Sequence, residues 1–388
     1  MGRSLPTVRP APLTSPEPIA PSERIDGIDI LRGLALFGVL TINVVFEFRV
    51  SIFAQFLPPA RTDSAIDRAL NSFLAAAVEL KALALFSFLF GVGLAIQFDR
   101  LAKNPRRLVL LVRRLVVLLA IGAVHLFLIW NGDILVQYAV AGLLVLPLLY
   151  APRWLVLLAA IAALLVFLML PLFPTAVPLP SSAMSWVHIA EANRVYGNGG
   201  YFDVLAFRIR EAQAIFPLLV LIFPRTVALF LFGMLAWRTK ILLQPARHRR
   251  LLFALAAGGV ILGAGLTLAK HWELGGVILA CGYAATILAW VSFPAGERML
   301  AWAAPVGRMA FTNYLTQSLL LGWIFYGYGL GLFGRLSVVT AFAIGVAVYA
   351  AQIVFSAWWL RRYRYGPLEW LWRSLMYGKW QKMAVRAA

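Results

Sequence analysis

The sequence predicts an all-α membrane protein, a polytopic bundle of about ten transmembrane helices with both termini in the cytoplasm. Three observations carry this. Hydrophobic residues fill 62% of the 388 positions and mean hydropathy is +0.83, more apolar surface than a soluble fold of this length can bury. The apolar residues run in continuous stretches of roughly 20, the length that crosses ~30 Å of hydrocarbon as a helix, without the alternation of barrel strands. Lys and Arg gather in the N-terminal tail, in 99–107, in 238–250 and after 360, the segments that the positive-inside rule places in the cytoplasm.

The elements follow in order. Residues 1–24 carry six prolines and little apolar sequence, which predicts a disordered cytoplasmic tail. No apolar h-region or small-residue cleavage site precedes the first span, so the tail does not resemble a signal peptide. Residues 25–360 form the transmembrane domain. Its spans are expected near 28–48, 72–98, 108–130, 133–150, 154–172, 213–237, 251–269, 274–294, 303–325 and 336–360. The long outer connection 173–212, with Trp186, His188, Tyr196 and Tyr201, is expected to lie on the membrane, either covering a cavity or simply facing lipid. Residues 361–388 mix arginines with tryptophans, as suits a basic aromatic segment in the inner headgroup layer.

The formal net charge of +19 sits at helix ends, so it argues orientation rather than a nucleic-acid partner. One cysteine, Cys281, leaves no disulfide or cysteine-based metal site within the chain, and no metal-type histidine cluster, P-loop or other soluble-enzyme motif appears.

Ionisable and amide groups inside apolar spans are costly and mark a functional path by default. Asp29, Arg32 and Asn43 return to one azimuth of the first span, at ~100° per residue. Asp29 and Arg32 alone would be an i,i+3 ion pair anchoring the helix end. With Asn43 ~16 Å further along the same face, the three suggest a cavity wall. Among four histidines, His125 alone falls within a span, near the outer interface. It precedes Trp130-Asn131-Gly132-Asp133, where Asn-Gly marks a turn and Asp133 can cap the next helix. A nearby carboxylate would orient the imidazole as a general base, although an interhelical hydrogen bond would equally satisfy it. The ninth span carries Arg308, Thr312, Asn313, Thr316 and Gln317, polarity that points to the protein interior or an aqueous cavity. Arg225 follows Pro224 within the sixth span, and a buried arginine there needs an anion or carbonyl partner. Glu79 and Lys81 read as structural pairing groups.

Several of these motifs together resemble the YeiB-type bacterial membrane proteins. They are Asp29-x-x-Arg32-Gly33-x-Ala35, Phe86-Ser-Phe-Leu-Phe-Gly-Val-Gly93, His125 with Gly132-Asp133-Ile-Leu, Gly307-Arg308-Met-Ala-Phe-Thr-Asn313-Tyr and Gly366-Pro-Leu-Glu-Trp-Leu-Trp-Arg373. More distantly, the first span is similar to transmembrane acyltransferases of the heparan-α-glucosaminide N-acetyltransferase type, which also carry Arg-Gly-x-Ala with an asparagine eleven residues after the arginine, here Asn43. That resemblance implies acetyl-CoA entering from the cytoplasm and an acceptor on the far side. Those enzymes place a catalytic histidine in the outer loop after the first span, whereas residues 49–71 contain none. Either His125 takes that role from another helix, or the chemistry differs, or this branch binds without acyl transfer.

The favoured expectation is a membrane acyltransferase. Asp29, Arg32, Arg308 and Asn313 would hold the donor, His125 would be the base oriented by Asp133, and Asn43 would donate to the developing oxyanion. A transporter or lipid flippase, or a non-catalytic component binding lipid or quinone, would use the same polar stripe without covalent chemistry. The expected partners are membrane lipids and an acyl acceptor such as a glycan or lipid-linked molecule, with a homodimer as the candidate assembly. The expected location is the inner membrane of a bacterium.

Overall fold

The computed structural model describes residues 26–57, 64–173 and 175–384, so the tail 1–24 lies outside them. Among the described residues the chain is helical throughout, with one isolated bridge, Tyr363 to Ala384, in place of any strand. The all-α multi-pass architecture is as the sequence predicts. Among the described residues, eight helices are long and apolar enough to cross a membrane.

Helix α1 (Asp26–Ile42) continues through a π-turn, Asn43–Phe48, and occupies the middle of the bundle with nearly three-quarters of its apolar window buried. The chain returns through α2 (Ala65–Ala77) and α3 (Lys81–Arg100), separated by a kink at Leu80, whose φ is +61°. At that kink Lys81 Nζ donates to the Ala75 carbonyl at 3.3 Å, so its charge serves the break between the helices. Helix α4 (Arg107–Val124) ends in a second π-turn, His125–Ile129, before α5 (Leu135–Val145) and α6 (Arg153–Met169).

The expected membrane-lying connection 173–212 is instead largely helical. It forms α7 (Ser182–Asn198) and the start of α8 (Tyr201–Arg238). At 1.5 Å per residue the 38 residues of α8 reach about 57 Å, well beyond a hydrocarbon core. Pro217 and Pro224 lie inside α8 without ending it, and Arg225 is buried with its guanidinium 5.7 Å from the Phe167 ring centre.

Helices α9 (Arg249–Leu268) and α10 (Trp272–Val291) pack as an antiparallel pair. The short α11 (Pro294–Leu300) and α12 (Ala303–Arg308) lead into α13 (Ala310–Phe325), followed by α14 (Val338–Arg362) and α15 (Pro367–Tyr377). Two expected spans fall short of full crossing length. The one at 133–150 is a 15-residue helix, Leu135–Leu149. The one at 303–325 breaks at Met309, whose φ of −108° and ψ of 27° leave helical space. A helix start inside the bundle leaves amide donors to satisfy. Glu369 of α15 takes them, accepting from Phe311 N at 2.8 Å and Thr312 N at 3.1 Å. The C-terminal segment is thereby docked into the bundle as well as amphipathic.

The start of α1, the ends of α3 and α14, and α15 share one face of the molecule, called here the terminal face. The turns after α4 and α13 lie at the opposite face. Gly33 and Gly307 fix the α1–α12 crossing at the terminal face. A methyl group on Gly307 would meet the Asp29 carbonyl, and one on Gly33 the Ala303 carbonyl. That contact sets Arg308 beside the α1 ion pair.

Candidate functional site

A cavity of about 210 Å³ lies toward the terminal face, walled by α1, α3, α4, α5, α12, α13 and α15. Arg32, Arg114 and Arg308 line it together with Glu369 and Trp372. Deeper in, Phe86, Phe90, Leu118 and Leu135 form an apolar sleeve, and Tyr138 and Tyr314 stand at its walls. Each cation is positioned by a local contact. Arg32 Nη1 donates to Asp29 Oδ1 at 3.0 Å. Arg114 stacks over Trp372 at 4.4 Å, whose indole in turn donates to the Arg114 carbonyl at 2.8 Å. Arg308 ends α12 at the Met309 break. Burial pushes the Glu369 carboxyl above the ordinary carboxylate range, and its hydrogen bonds from Thr312 and Phe311 pull it part of the way back. Three guanidiniums against one carboxylate make a cavity suited to an anion with an apolar or aromatic arm.

The second component lies behind Tyr314. His125 and Asp133 are fully buried, with Nδ1 to Oδ1 at 2.7 Å. Asp133 Oδ2 also accepts Val136 N at 2.7 Å, so the residue caps α5 and orients the imidazole at once. His125 Nε2 is buried without a hydrogen-bond partner. The Tyr314 ring lies 5.3 Å from the imidazole, and its hydroxyl donates to the Gly132 carbonyl at 3.4 Å.

Beyond this septum a smaller pocket of about 20 Å³ sits toward the opposite face, lined by Glu47, Ser51, Trp130, Asn131, Gly132, Tyr196, Glu211 and Tyr326. His188 Nε2 bonds Glu211 Oε1 at 2.6 Å. Asn131 and Tyr196 both donate to Glu211 Oε2. Phe48 stacks on Trp130 and Tyr196 on Tyr326, with ring centres 4.5 and 4.6 Å apart.

The structure brings together Arg32, Arg308 and, one tyrosine away, His125 with Asp133. Asp29 supports Arg32 without itself lining the cavity. Two expected residues fall elsewhere. Asn43 is buried where the π-turn begins, ~16 Å of helical rise beyond Arg32, and lines neither cavity. Asn313 turns away from the cavity, donating to Ser356 Oγ at 3.0 Å and the Val306 carbonyl at 3.3 Å. Gln317 likewise bonds Gln352, so these two amides of α13 hold α14. Arg114, Glu369, Trp372, Glu47 and Glu211 were not anticipated. Arg114 and Glu47 are charges inside spans, a signal present in the sequence. Nothing in the sequence directs Glu369 and Glu211 to their partners.

A polytopic helical membrane protein with a polar interior is thus the class that fold and site define. The chain belongs to the YeiB family. It is 34% identical to the uncharacterized protein YxaH of Bacillus subtilis (strain 168), over 96% of this chain and 99% of that one. It is 32% identical to an uncharacterized 39.9 kDa protein from the amylase 3' region of Bacillus acidopullulyticus, over 94% and 96%. It is 30% identical to the uncharacterized protein YeiB of Escherichia coli (strain K12), over 91% and 96%. Residues 236–379 match a family described as a protein of unknown function, DUF418. No solved structure matches.

Proposed function

We propose that the chain is a membrane acyltransferase that takes an acyl group from acyl-CoA, with acetyl-CoA the expected donor, at the terminal face and delivers it to an acceptor from the opposite side. The observation that carries this reading is the oriented His125–Asp133 pair, directly behind a cavity bearing Arg32, Arg114 and Arg308. The arginines suit the donor's phosphates, Trp372 its base, and the apolar sleeve the acyl-bearing arm.

Asp133 accepts the Nδ1 proton, which leaves the Nε2 lone pair free. Nε2 removes the proton of an acceptor hydroxyl or amine as that atom attacks the acyl carbon. The carbon–sulfur bond breaks and the proton passes to the departing thiolate. Tyr314, with its hydroxyl at the junction, replaces Asn43 as donor to the developing oxyanion. Its ring must swing to open His125 to the cavity. On this reading the terminal face is cytoplasmic and the membrane is the bacterial inner membrane.

One observation favours a second reading, transport. Each face has its own cavity, both end at the same septum, and His125 lines neither. Calorimetric titration of acetyl-CoA against wild type and Arg32→Ala tests the donor site. Saturable binding lost in the variant supports acyl transfer. Absence of binding by folded wild type turns the reading to transport.

A further inference from the structure

We propose that a second ligand site, for a phosphate group, is built around Arg208 toward the face opposite the arginine cavity. It stands independently of the acyl-transfer reading. Arg208 lies two turns into α8 and is only 1% exposed, yet Nε, Nη1 and Nη2 have no hydrogen-bond partner. A guanidinium taken out of water needs an anion or a set of acceptors. Glu211, one turn along α8, is the natural counter-ion. Its carboxylate is already engaged, with one oxygen bonded to His188 and the other accepting from both Asn131 and Tyr196. The fold therefore places a carboxylate nearby and directs its oxygens to other groups, so the guanidinium of Arg208 is left without an anionic partner.

What surrounds Arg208 fits an oxyanion ligand. Its guanidinium carbon lies 5.9 Å from the Tyr326 ring centre, and the Tyr328 hydroxyl is its polar side-chain neighbour on that side, an interaction that leaves most of its donors to spare. Tyr328, beside Arg208, and His188, on Glu211, are both part-exposed. Five guanidinium donors and a tyrosyl hydroxyl exceed what the roughly four lone-pair sites of a carboxylate can take, whereas phosphate oxygens can take them all. A soluble phosphate ester and a lipid headgroup share this chemistry, and the test separates them.

The full-length protein in detergent is titrated calorimetrically with inorganic phosphate and sn-glycerol 3-phosphate, and its melting temperature is followed with phosphatidic acid against diacylglycerol in the micelles. Wild type, Arg208→Gln and Arg32→Gln are compared, because the arginine cavity can also take phosphate. Binding or stabilisation that survives Arg32→Gln and weakens at least tenfold in Arg208→Gln supports the site. Soluble esters acting alone assign it to a free metabolite, and phosphatidic acid acting alone assigns it to a headgroup. If Arg208→Gln fails to fold, Arg208→Lys, which keeps the charge and loses the fork, is expected to show the same tenfold loss. Absence of response in wild type, or a response lost in Arg32→Gln and kept in either Arg208 variant, overturns the proposal.

Discussion

At the scale of single residues, Asp133 carries two duties that substitution can separate. Asp133→Asn keeps an acceptor for Val136 N but no longer fixes the imidazole tautomer. We expect a folded protein whose acyl transfer from labelled acetyl-CoA falls about 10²–10⁴-fold. Asp133→Ala should also lower the melting temperature, by removing the cap. Transfer unchanged in Asp133→Asn would remove the pair from the mechanism. This pair was legible in sequence because a turn dipeptide separates its members by eight residues, so local geometry alone brings them together. Asn43 and Asn313 were misread for a physical reason. An amide in an apolar span looks the same whether it faces a cavity or a neighbouring helix. For Asn313 only the packing of α14, with Gln352 and Ser356, distinguishes the two.

At the scale of elements, the break at Met309 and its closure by Glu369 join two helices far apart in sequence. Glu369→Ala leaves the first amides of α13 without their acceptor and should cost about 1–2 kcal/mol, read by thermal melting. The raised Glu369 pKa sets the sign of a pH effect. The folded chain holds that proton more tightly than the unfolded chain. Its contribution to stability is therefore greatest below the ordinary carboxylate range and declines as pH rises through the raised folded value. Glu369→Gln should flatten that decline, and a slope identical to wild type would show that another group governs it. The α1–α12 crossing offers a steric counterpart. Gly307→Ala drives a methyl into the Asp29 carbonyl and should destabilise by about 1–3 kcal/mol, displacing Arg308 and weakening acetyl-CoA binding in the same titration. The spans were readable because hydrophobic length is a local property. The helical character of 182–212 was harder to see, because its polar residues satisfy one another only after α7 folds against α8.

At the scale of the whole molecule, two cavities approach one septum from opposite faces. The chain contains one cysteine, Cys281, so a Cys281→Ala background permits single-cysteine mapping. Probes at positions 248 and 188 should label from opposite sides of sealed vesicles, with position 248 on the side of the C-terminal segment. Labelling of both from one side would overturn the arrangement of the faces. Composition and charge bias made the multi-pass architecture readable, whereas the existence of two cavities depends on contacts between helices hundreds of residues apart, such as Tyr314 with Gly132.

The wall that α15 lends to the arginine cavity has a consequence in time. Helix α15 leaves the ribosome after every membrane-crossing helix, and it carries both Glu369 and Trp372. During synthesis the spanning helices therefore enter the bilayer with the arginine cavity still open along one side. The cavity is completed only when α15 docks, as a post-insertion maturation step. A chain truncated before Gly366 should still insert and yet lose the acetyl-CoA binding proposed for the intact protein.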